Sequence, residues 1–390
     1  MRFLANTLAN HFATHPQAAV ILGSRQAGKT TLAHNIFPGA TYLLVDNDPV
    51  RRILDAYDIH AYRALIPESV DTVLIDEIHL LKDPGRAVKI LYDQIPGLKI
   101  VVTGSSSFHI KNRMSESLAG RKIDYILHPL SFAEYLFQKK VVPELSDAFL
   151  HSLADPEETI PQERIYPFDM AAILDNTLLY GLYPFLVDHP NDTAYLRNFA
   201  DSLICKDLLE LNLIENKRVA ADLLKLLAHQ IGNIVNYAEL ADKLRADQRT
   251  VKRYIEIFEQ SFLVFRLYPF TSRRENEIVK SPKVYFFDTG LRNAIINDFS
   301  PLTARRDKGA LFENFIIAEA WKQNAYTNRV RGLNYWRTKS GSEVDLVLDT
   351  PSHTVAIEIK NARHTAPCRG FLSHYPDAVP KTLTANNFWA

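Results

Sequence analysis

Residues 18–37 read Ala-Ala-Val-Ile-Leu-Gly-Ser-Arg-Gln-Ala-Gly-Lys-Thr-Thr-Leu-Ala-His-Asn-Ile-Phe, and this stretch decides the fold of the N-terminal part of the chain. Its first five residues are apolar and partly β-branched, which is typical of a buried strand, and residues 30–37 favour a helix that stops at Pro38-Gly39. Between them, Gly23 to Thr30 have the spacing Gly-x4-Gly-Lys-Thr. A strand, a glycine-bounded turn and a helix N-terminus together direct backbone N–H groups at an anion. The sequence therefore predicts a phosphate-binding loop; a glycine loop without a ligand is the disfavoured alternative, since so long a motif seldom meets these flanks by chance.

Two side chains of this loop have specific expected roles. Lys29 is expected to reach the β- and γ-phosphates of ATP, and the hydroxyl of Thr30 is expected to hold Mg²⁺. ATP and Mg²⁺ are thus the predicted cofactors. The residues predicted to bind the nucleotide are Gly23, Ser24, Arg25, Gln26, Ala27, Gly28, Lys29, Thr30 and Thr31.

A second apolar run, Val73 to Ile75, ends in two adjacent carboxylates, Asp76 and Glu77. At this place in a P-loop protein, the first carboxylate holds the hydration shell of Mg²⁺ and the second orients and deprotonates the attacking water. Two solvated acids at an ordinary strand end are the alternative. Because the pair follows Lys29 in the expected order, the sequence predicts Asp76 as a Mg²⁺ partner and Glu77 as the hydrolytic base.

Two further segments offer candidate groups for the same site. A third strand, Leu98 to Val102, runs into Thr103 to Ser107, whose hydroxyls either sense the γ-phosphate or the lytic water or form a plain polar turn. Arg121 precedes another strand, Ile123 to Leu127. It is a candidate stabiliser of phosphate charge, in cis or toward a neighbouring subunit; a solvated surface arginine is the alternative.

Length and composition bound the rest of the chain. With 390 residues, 47% hydrophobic and 23% charged, the sequence predicts two or three ordinary globular domains. Lys plus Arg and Asp plus Glu both total 45, so a nucleic-acid surface, if present, must be local. Cys205 and Cys368 fit no metal or redox spacing and suit a reducing cytosol. We see no signal peptide and no apolar run near the ~20 residues of a membrane span, which favours a cytoplasmic protein without a membrane partner.

The order of strands and helices predicts an α/β protein. Strands and helices alternate from residue 18 to 127, which indicates a largely parallel sheet. Ser131 and Glu134 have the spacing of a capping box at the start of a helix. Residues 143–169 are rich in Pro, Asp and Glu and predict an exposed irregular insertion, and a mostly helical stretch follows to about Gln230.

Residues 223–269 have the layout of a winged helix. Helices are expected at 223–229, 236–244 and 249–260, with Asp247 as the N-cap of the third, and a β-rich stretch follows at 262–267. The third helix opens with residue types that suit contacts to DNA phosphates and base edges. These residues are Arg249, Thr250, Lys252, Arg253 and Tyr254. Because many winged helices bind only proteins, DNA and protein partners stay equally open.

The last hundred residues predict a second chemical site. Two strands, 343–348 and 354–360, form a probable hairpin that brings Asp345 beside Glu358 and Lys360. Two carboxylates can hold a divalent cation and a lysine can activate water, which is the arrangement of a nuclease-like site, with Asp345 and Glu358 as metal ligands. Glu313, on a helix upstream, is a candidate third carboxylate. The alternative is a half-exposed hairpin with ordinary surface charges, and cleavage itself stays open.

These segments together resemble the prokaryotic AAA-type ATPases related to the archaeal ATPase group, which typically carry a C-terminal domain of unknown function. The resemblance rests on the loop, on Asp76-Glu77, on the winged helix and on five other segments, and it covers nearly the whole chain. Those segments are 103–106, 118–121, 129–136 and, for the C-terminal domain, Gly181-Leu182-Tyr183-Pro184 and Lys283 to Gly290 with Asp345, Glu358 and Lys360. The resemblance implies an ATPase domain, then a winged helix and a restriction-endonuclease-like fold, which we delimit as 1–136, 137–222 (helical linker), 223–280 and 281–390.

Two functional interpretations follow. In the first, an ATPase uses its nucleotide state to control a C-terminal winged-helix and nuclease-like module that acts on DNA. In the second, the protein is an ATP-dependent switch or scaffold with a catalytically silent nuclease-like domain, and its partners are proteins or further copies of itself. The intact set of Asp345, Glu358 and Lys360 favours the first interpretation, and the neutral net charge favours the second.

Overall fold

The computed structural model describes residues 1–105, 118–203, 214–271, 281–338, 340–360 and 368–389. The chain divides into two units, each with a sheet of its own. The first unit comprises residues 1–130 with 260–262, and the second comprises residues 131–259 with 263–390. The division into four parts predicted from the sequence stays a prediction.

A five-stranded sheet forms the centre of the first unit. Its strands are β1 (Ala18–Leu22), β2 (Thr41–Leu44), β3 (Thr72–Asp76), β4 (Lys99–Gly104) and β5 (Lys122–Ile126). The described helices of this unit are α1 (Phe3–Ala9), α2 (His11–Thr14), α3 (Lys29–Ile36), α4 (Asp48–Leu54), α5 (Ile59–Leu65) and α6 (Pro84–Gln94). The strand order is β2-β3-β4-β1-β5 and every neighbouring pair is parallel, so the predicted parallel sheet is confirmed.

The parallel sheet places the candidate site. Every residue of β1 and β3 is buried, as expected of central parallel strands that are covered on both faces. Because parallel strands all end at the same edge, the loop after β1, the carboxylates at the end of β3 and the hydroxyls at the end of β4 come together. The register aligns Leu22 with Gly104 and Ile75 with Val102, which brings these three strand ends level.

Helices make up the N-terminal half of the second unit. They are α7 (Phe132–Gln138), α8 (Ala148–Ala154), α9 (Met170–Tyr180), α10 (Phe185–Asp188), α11 (Thr193–Ser202), α12 (Lys217–His229), α13 (Tyr237–Leu244) and α14 (Gln248–Gln260). The capping box of Ser131 and Glu134 is confirmed at the start of α7. The prediction that 143–169 is wholly irregular is wrong, because Phe149, Leu150 and Leu153 give α8 a buried apolar face.

A six-stranded mixed sheet forms the C-terminal half. Its strands are β6 (Val264–Pro269), β7 (Lys283–Phe286), β8 (Gly332–Arg337), β9 (Glu343–Asp349), β10 (Thr354–Ile359) and β11 (Val379–Leu383), and the remaining described helices are α15 (Thr289–Ile295), α16 (Lys308–Thr327) and α17 (Arg369–Leu372). The order is β11-β10-β9-β8-β6-β7. The antiparallel pairing of β9 with β10 confirms the predicted hairpin.

The strand predicted as a wing belongs to this sheet. β6 pairs antiparallel with β7 and parallel with β8. Val264, Phe265 and Leu267 are buried, so this strand is covered on both faces, which an exposed wing would not be. The three predicted helices are present as α12, α13 and α14, but the β-rich stretch after them is part of the C-terminal sheet.

A buried carboxylate, Asp288, joins two distant segments of the second unit. Its Oδ2 accepts a hydrogen bond from the backbone N–H of Leu182 at 2.6 Å, and its Oδ1 accepts one from Leu291 at 2.8 Å, where it caps α15. Burial raises the pKa of this carboxyl, against the lowering effects of Lys322 and of the backbone donors. The two segments quoted for the C-terminal resemblance are thus in direct contact.

Candidate functional site

The loop after β1 adopts the predicted strand–turn–helix geometry. Gly23 lies so close to the backbone that follows β5 that a Cβ there would be 2.0 Å from the carbonyl oxygen of Leu127. Gly28 has φ 93°, a left-handed conformation that favours glycine, and α3 begins at the next residue, Lys29. The two glycines of the motif are therefore required by the turn itself.

Lys29 folds back over the loop. Its side chain is 5% exposed, and its Nζ donates to the carbonyl oxygens of Gly23 at 3.1 Å and Ser24 at 2.9 Å. The ammonium charge is therefore held at the turn whose backbone N–H groups would receive a phosphate. The hydroxyl of Ser24 is fully buried without a hydrogen-bond partner among the described residues. A buried polar atom of this kind fits a ligand oxygen.

Asp76 is the centre of a hydroxyl network. The Oγ1 of Thr30 donates to both carboxylate oxygens, at 3.1 and 2.9 Å, and the Oγ1 of Thr103 donates to Oδ1. The phenol of Tyr42 donates to Oδ2 at 2.8 Å. The structure thus brings together the two predicted Mg²⁺ partners, Thr30 and Asp76, and adds Tyr42, which the sequence reasoning missed.

Glu77 lies beside the same network in a left-handed conformation, with φ 56°. Its backbone N–H donates to Thr103 Oγ1 at 3.3 Å, and its Oε2 lies 3.2 Å from Nδ1 of His79. The other ring nitrogen of His79 lies 3.3 Å from the hydroxyl of Ser105. His79 was also missed from the sequence, although its place two residues after the carboxylate pair was the available signal.

Arg121 lies away from the loop. It stands just before β5, whose first residue Lys122 pairs with Ala18 at the start of β1, whereas the loop follows the other end of β1. The length of the strand, roughly 3.3 Å per residue over five residues, separates them. Its Nε donates to Asp93 at 2.9 Å. The structure therefore does not bring Arg121 to this loop in cis, and a role toward a neighbouring subunit stays a prediction.

Arg2 is a supporting residue that the sequence did not reveal. It is 8% exposed, and its guanidinium donates to the carbonyl oxygens of Ala27 at 2.9 Å and His128 at 2.6 Å. The Arg2 side chain thereby links one end of the loop to the segment that follows β5. A single arginine near the start of the sequence carries no pattern that could have predicted this contact.

The side chains at the loop fit Mg²⁺ and a nucleotide phosphate. Thr30 and Asp76 supply hard oxygen atoms, and Mg²⁺ commonly uses one or two protein ligands while keeping several waters. Among the described residues no group of three or more His, Cys, Asp or Glu side chains is arranged to hold a metal. The hydroxyls that donate to Asp76 are neutral, so they add no positive charge around that carboxylate.

The second unit contains a different cluster of charges. The buried ammonium of Lys283 lies 2.6 Å from Oε1 of Glu343 and 3.2 Å from Oε1 of Glu313, which also accepts the phenol of Tyr285 at 2.6 Å. Glu313 is the candidate third carboxylate of the sequence analysis. Lys283 and Glu343 were not predicted as site residues, although Lys283 opens a segment quoted for the resemblance.

The hairpin residues lie beside this cluster. Oδ2 of Asp345 accepts the backbone N–H of Ile359 at 2.8 Å and lies 3.6 Å from Nζ of Lys360. Burial, and next the charge of Glu313, raise the pKa of Asp345 to about 6. Oε1 of Glu358 accepts the N–H of Cys368 at 2.7 Å. The structure brings Asp345 to Lys360 as predicted, and the metal role of Asp345 and Glu358 stays a prediction.

Cys368, the cysteine within the described ranges, shows no sign of a site. Burial raises the pKa of the Cys368 thiol to about 12, and its Sγ donates to the carbonyl of Ala356. Cys205, like Ser106 and Ser107, lies outside the described residues.

Several side chains that were predicted to contact DNA from the recognition helix α14 contact other residues of the protein instead. Tyr254 is 1% exposed and its hydroxyl accepts the N–H of Asn216 at 3.0 Å, so its predicted role at base edges is wrong because the ring is core. Arg253 pairs with Glu215 at 3.0 Å. Lys252 lies over the ring of Tyr237, 5.1 Å from its centroid. Arg249 remains exposed, and its backbone N–H is held by Asp247 at 2.6 Å, as expected of the predicted cap.

Three family models match successive parts of the chain. Residues 15–136 match an AAA domain, residues 171–302 match the domain of unknown function DUF8612, and residues 308–385 match the domain of unknown function DUF4143. The AAA match contains the whole loop and the Asp76-Glu77 pair. Together with the geometry of the loop, it supports an AAA-type P-loop domain that binds ATP.

The chain is similar to several uncharacterized proteins. One from Mycobacterium tuberculosis is 26% identical over 376 residues, which cover 94% of this chain and 75% of that protein. One from Methanocaldococcus jannaschii is 24% identical, covering 87% and 74%. One from Haemophilus influenzae is 22% identical, covering 95% and 89%. These relatives share most of the chain length, and their names assign no activity.

Solved structures give only distant likenesses. A signal-transduction ATPase with a tetratricopeptide repeat sensor from Pyrococcus horikoshii has a TM-score of 0.30 at 12% identity, with 82% of this chain and 47% of that one covered. A RuvB variant from Thermotoga maritima has a TM-score of 0.32 at 18% identity, covering 67% and 87%. Likenesses at these scores are too distant to support a statement about this chain. Separately, none of the helices in the described ranges is both long and apolar enough to cross a membrane.

Proposed function

We propose that the protein hydrolyses ATP at the loop of the first unit. The observation that carries this proposal is the pair of hydrogen bonds, at 2.9 and 3.1 Å, from Thr30, the last residue of the loop, to Asp76 at the end of β3. A hydroxyl and a carboxylate in contact at this place form the oxygen pair that a nucleotide-bound Mg²⁺ needs. Bound Mg²⁺ would neutralise charge that develops on the phosphates.

The residues around this pair have distinct roles in the proposal. Lys29 and the backbone N–H groups of the loop bind the phosphates and hold them in place. Glu77 orients the attacking water and accepts its proton. His79 positions Glu77 through the 3.2 Å contact, and Ser105 in turn contacts His79. Arg2 holds the backbone of the loop near Ala27.

Replacing Glu77 with Gln tests the proposal. The amide keeps the shape of the side chain and loses the proton acceptor, so ATP binding should persist while turnover falls by roughly 100-fold or more. Calorimetry would measure binding, and phosphate release would measure turnover. Wild-type turnover in Glu77→Gln would assign the base to another residue, and loss of binding as well would assign Glu77 a structural role.

We propose further that the second unit acts as a switch or scaffold module under the control of nucleotide state, and not as a metal-dependent nuclease. The observation that favours this version is the pairing of Glu313 and Glu343 with the buried Lys283. Its partner would be a protein or a second copy of the chain. Incubation with plasmid DNA, Mn²⁺ and ATP tests the competing version, which requires cleavage that disappears in Asp345→Ala.

A further inference from the structure

We infer that the acid cluster of the second unit, which we define as Glu313, Glu343 and Asp345, is occupied from within by cationic side chains, with Lys283 bridging Glu313 and Glu343, and takes no divalent cation. This inference is the opposite of the metal role that the sequence predicts for Asp345. It deepens the proposal of a silent module and is independent of ATP hydrolysis in the first unit.

The ammonium group of Lys283 stands where a bridging cation would have to stand. It contacts one carboxylate oxygen of Glu343 at 2.6 Å and one of Glu313 at 3.2 Å. The side chain is 2% exposed, so water has little access to it. Mg²⁺ demands octahedral geometry and keeps several waters, and a buried ammonium in contact with both acids leaves no place for that shell.

Other donors also contact the oxygens of the cluster. The phenol of Tyr285 donates to the same Glu313 oxygen that Lys283 contacts. The guanidinium of Arg337 lies 3.5 Å from the second oxygen of Glu343. For Asp345, the N–H of Ile359 and the ammonium of Lys360 share Oδ2. A metal would therefore compete with donors that are covalently part of the chain.

The two lysines of the site differ in how firmly they are held. Lys283 is buried on β7 and contacts two carboxylates, whereas the side chain of Lys360 is 36% exposed and lies 3.6 Å from a single one. Buried charge pairs with good geometry are screened far less than exposed ones. Lys283 is therefore the residue that excludes the cation, and Lys360 is its matched control.

Titration with Mn²⁺ tests the inference in full-length protein that carries Asp76→Asn, so that the P-loop site does not contribute. We expect no saturable Mn²⁺ binding by calorimetry in this variant. Adding Lys283→Met, which keeps most of the length of the unbranched side chain but removes the charge, should create a saturable Mn²⁺ site that Asp76→Asn alone lacks. Adding Lys360→Met to Asp76→Asn should leave Mn²⁺ binding absent.

Three results would overturn the inference. The first is saturable Mn²⁺ binding in Asp76→Asn that is lost on adding Asp345→Asn. Both of these variants keep Lys283, so their comparison decides the question even if Lys283→Met fails to fold. The second is the absence of a new site in a Lys283→Met protein that near-ultraviolet circular dichroism shows to be folded. The third is a gain of Mn²⁺ binding in the Lys360→Met control that equals the gain in Lys283→Met. None of these results bears on Glu77→Gln, so failure here is distinguishable from failure of the ATPase proposal.

Discussion

Asp76 and Asp345 are both buried carboxylates on β-strands, yet their surroundings differ. Hydroxyl groups of Thr30, Thr103 and Tyr42 donate to Asp76. Asp345 and the acids beside it receive ammonium groups, of which Lys283 is the most deeply buried. Neutral donors orient a carboxylate and leave its charge for a cation that arrives with a ligand, whereas a tethered ammonium supplies the cation permanently. We therefore propose that Asp76 belongs to an exchangeable cation site and Asp345 to a fixed one.

The largest expected effect concerns the exchangeable site. Lys29→Ala removes a charge-assisted contact to phosphate, so ATP affinity should fall by about 1,000-fold, or about 4 kcal/mol. Calorimetry measures this loss. The control is Lys89→Ala, which removes an exposed lysine of α6 and should leave affinity unchanged. Equal affinity of Lys29→Ala and wild type would remove the phosphate-binding role from this loop.

The second prediction tests the fixed site through stability. Lys283→Met leaves Glu313 and Glu343 without their shared cation, and breaking a buried pair costs about 3 kcal/mol, at the lower end of the usual range because both acids are partly exposed. Lys360→Met, at the exposed rim, should cost under about 1 kcal/mol. Urea unfolding monitored by circular dichroism measures both, and equal costs would contradict the distinction between the two lysines.

The third prediction concerns pH. Asp345 has its pKa raised from 3.8 to about 6, so the folded protein holds this proton more tightly than the unfolded chain. The stability that this proton contributes is complete below pH 3.8 and is lost as pH rises through about 6. Relative to Asp345→Asn, the wild type should lose on the order of 2 kcal/mol of unfolding free energy between pH 4 and pH 7. Urea unfolding of the wild type and of Asp345→Asn, measured at several pH values in this range, checks this prediction. The wild type would show no such loss if Asp345 were ionised throughout.

The smallest expected effect returns to Asp76. Tyr42→Phe removes one of the hydroxyl donors, and a hydrogen bond to a charged group is worth about 1.5 kcal/mol, or roughly ten-fold in affinity for Mg²⁺-ATP. Without Mg²⁺ the affinity for ATP should not change, because the phenol contacts only the metal-binding carboxylate in this proposal. A loss that is equal with and without Mg²⁺ would show that Tyr42 serves the loop as a whole.

Local patterns account for what the sequence could predict. The strand–loop–helix around Lys29, the capping box of Ser131 and the β9–β10 hairpin each depend on residues close together in the chain, and each is present. Arg2, Tyr42 and Lys283 depend instead on partners that only the tertiary fold brings near. Spacing cannot reveal such partners, which is why they were missed.

The positions of Arg121 and Tyr254 could not be predicted from the sequence for the same reason. Arg121 precedes β5, and only the parallel register shows that it stands at the edge of the sheet opposite the loop. Tyr254 has a residue type suited to bases, and only packing shows that the ring is core. Residue type predicts which chemistry is available, whereas the fold decides whether a side chain can reach it.

The hydrogen bond from Leu182 to Asp288 also bears on how the protein folds. It joins residues 106 positions apart, with α10 to α14, β6 and β7 between them along the chain. Contacts of such long range lower folding rates, because the chain entropy lost on closing the intervening segment precedes the gain from the contact. The carboxylate must also leave water before its donors are in place. We therefore expect the segment around Leu182, directly after α9, to be among the last parts of the second unit to acquire protection from hydrogen exchange during refolding.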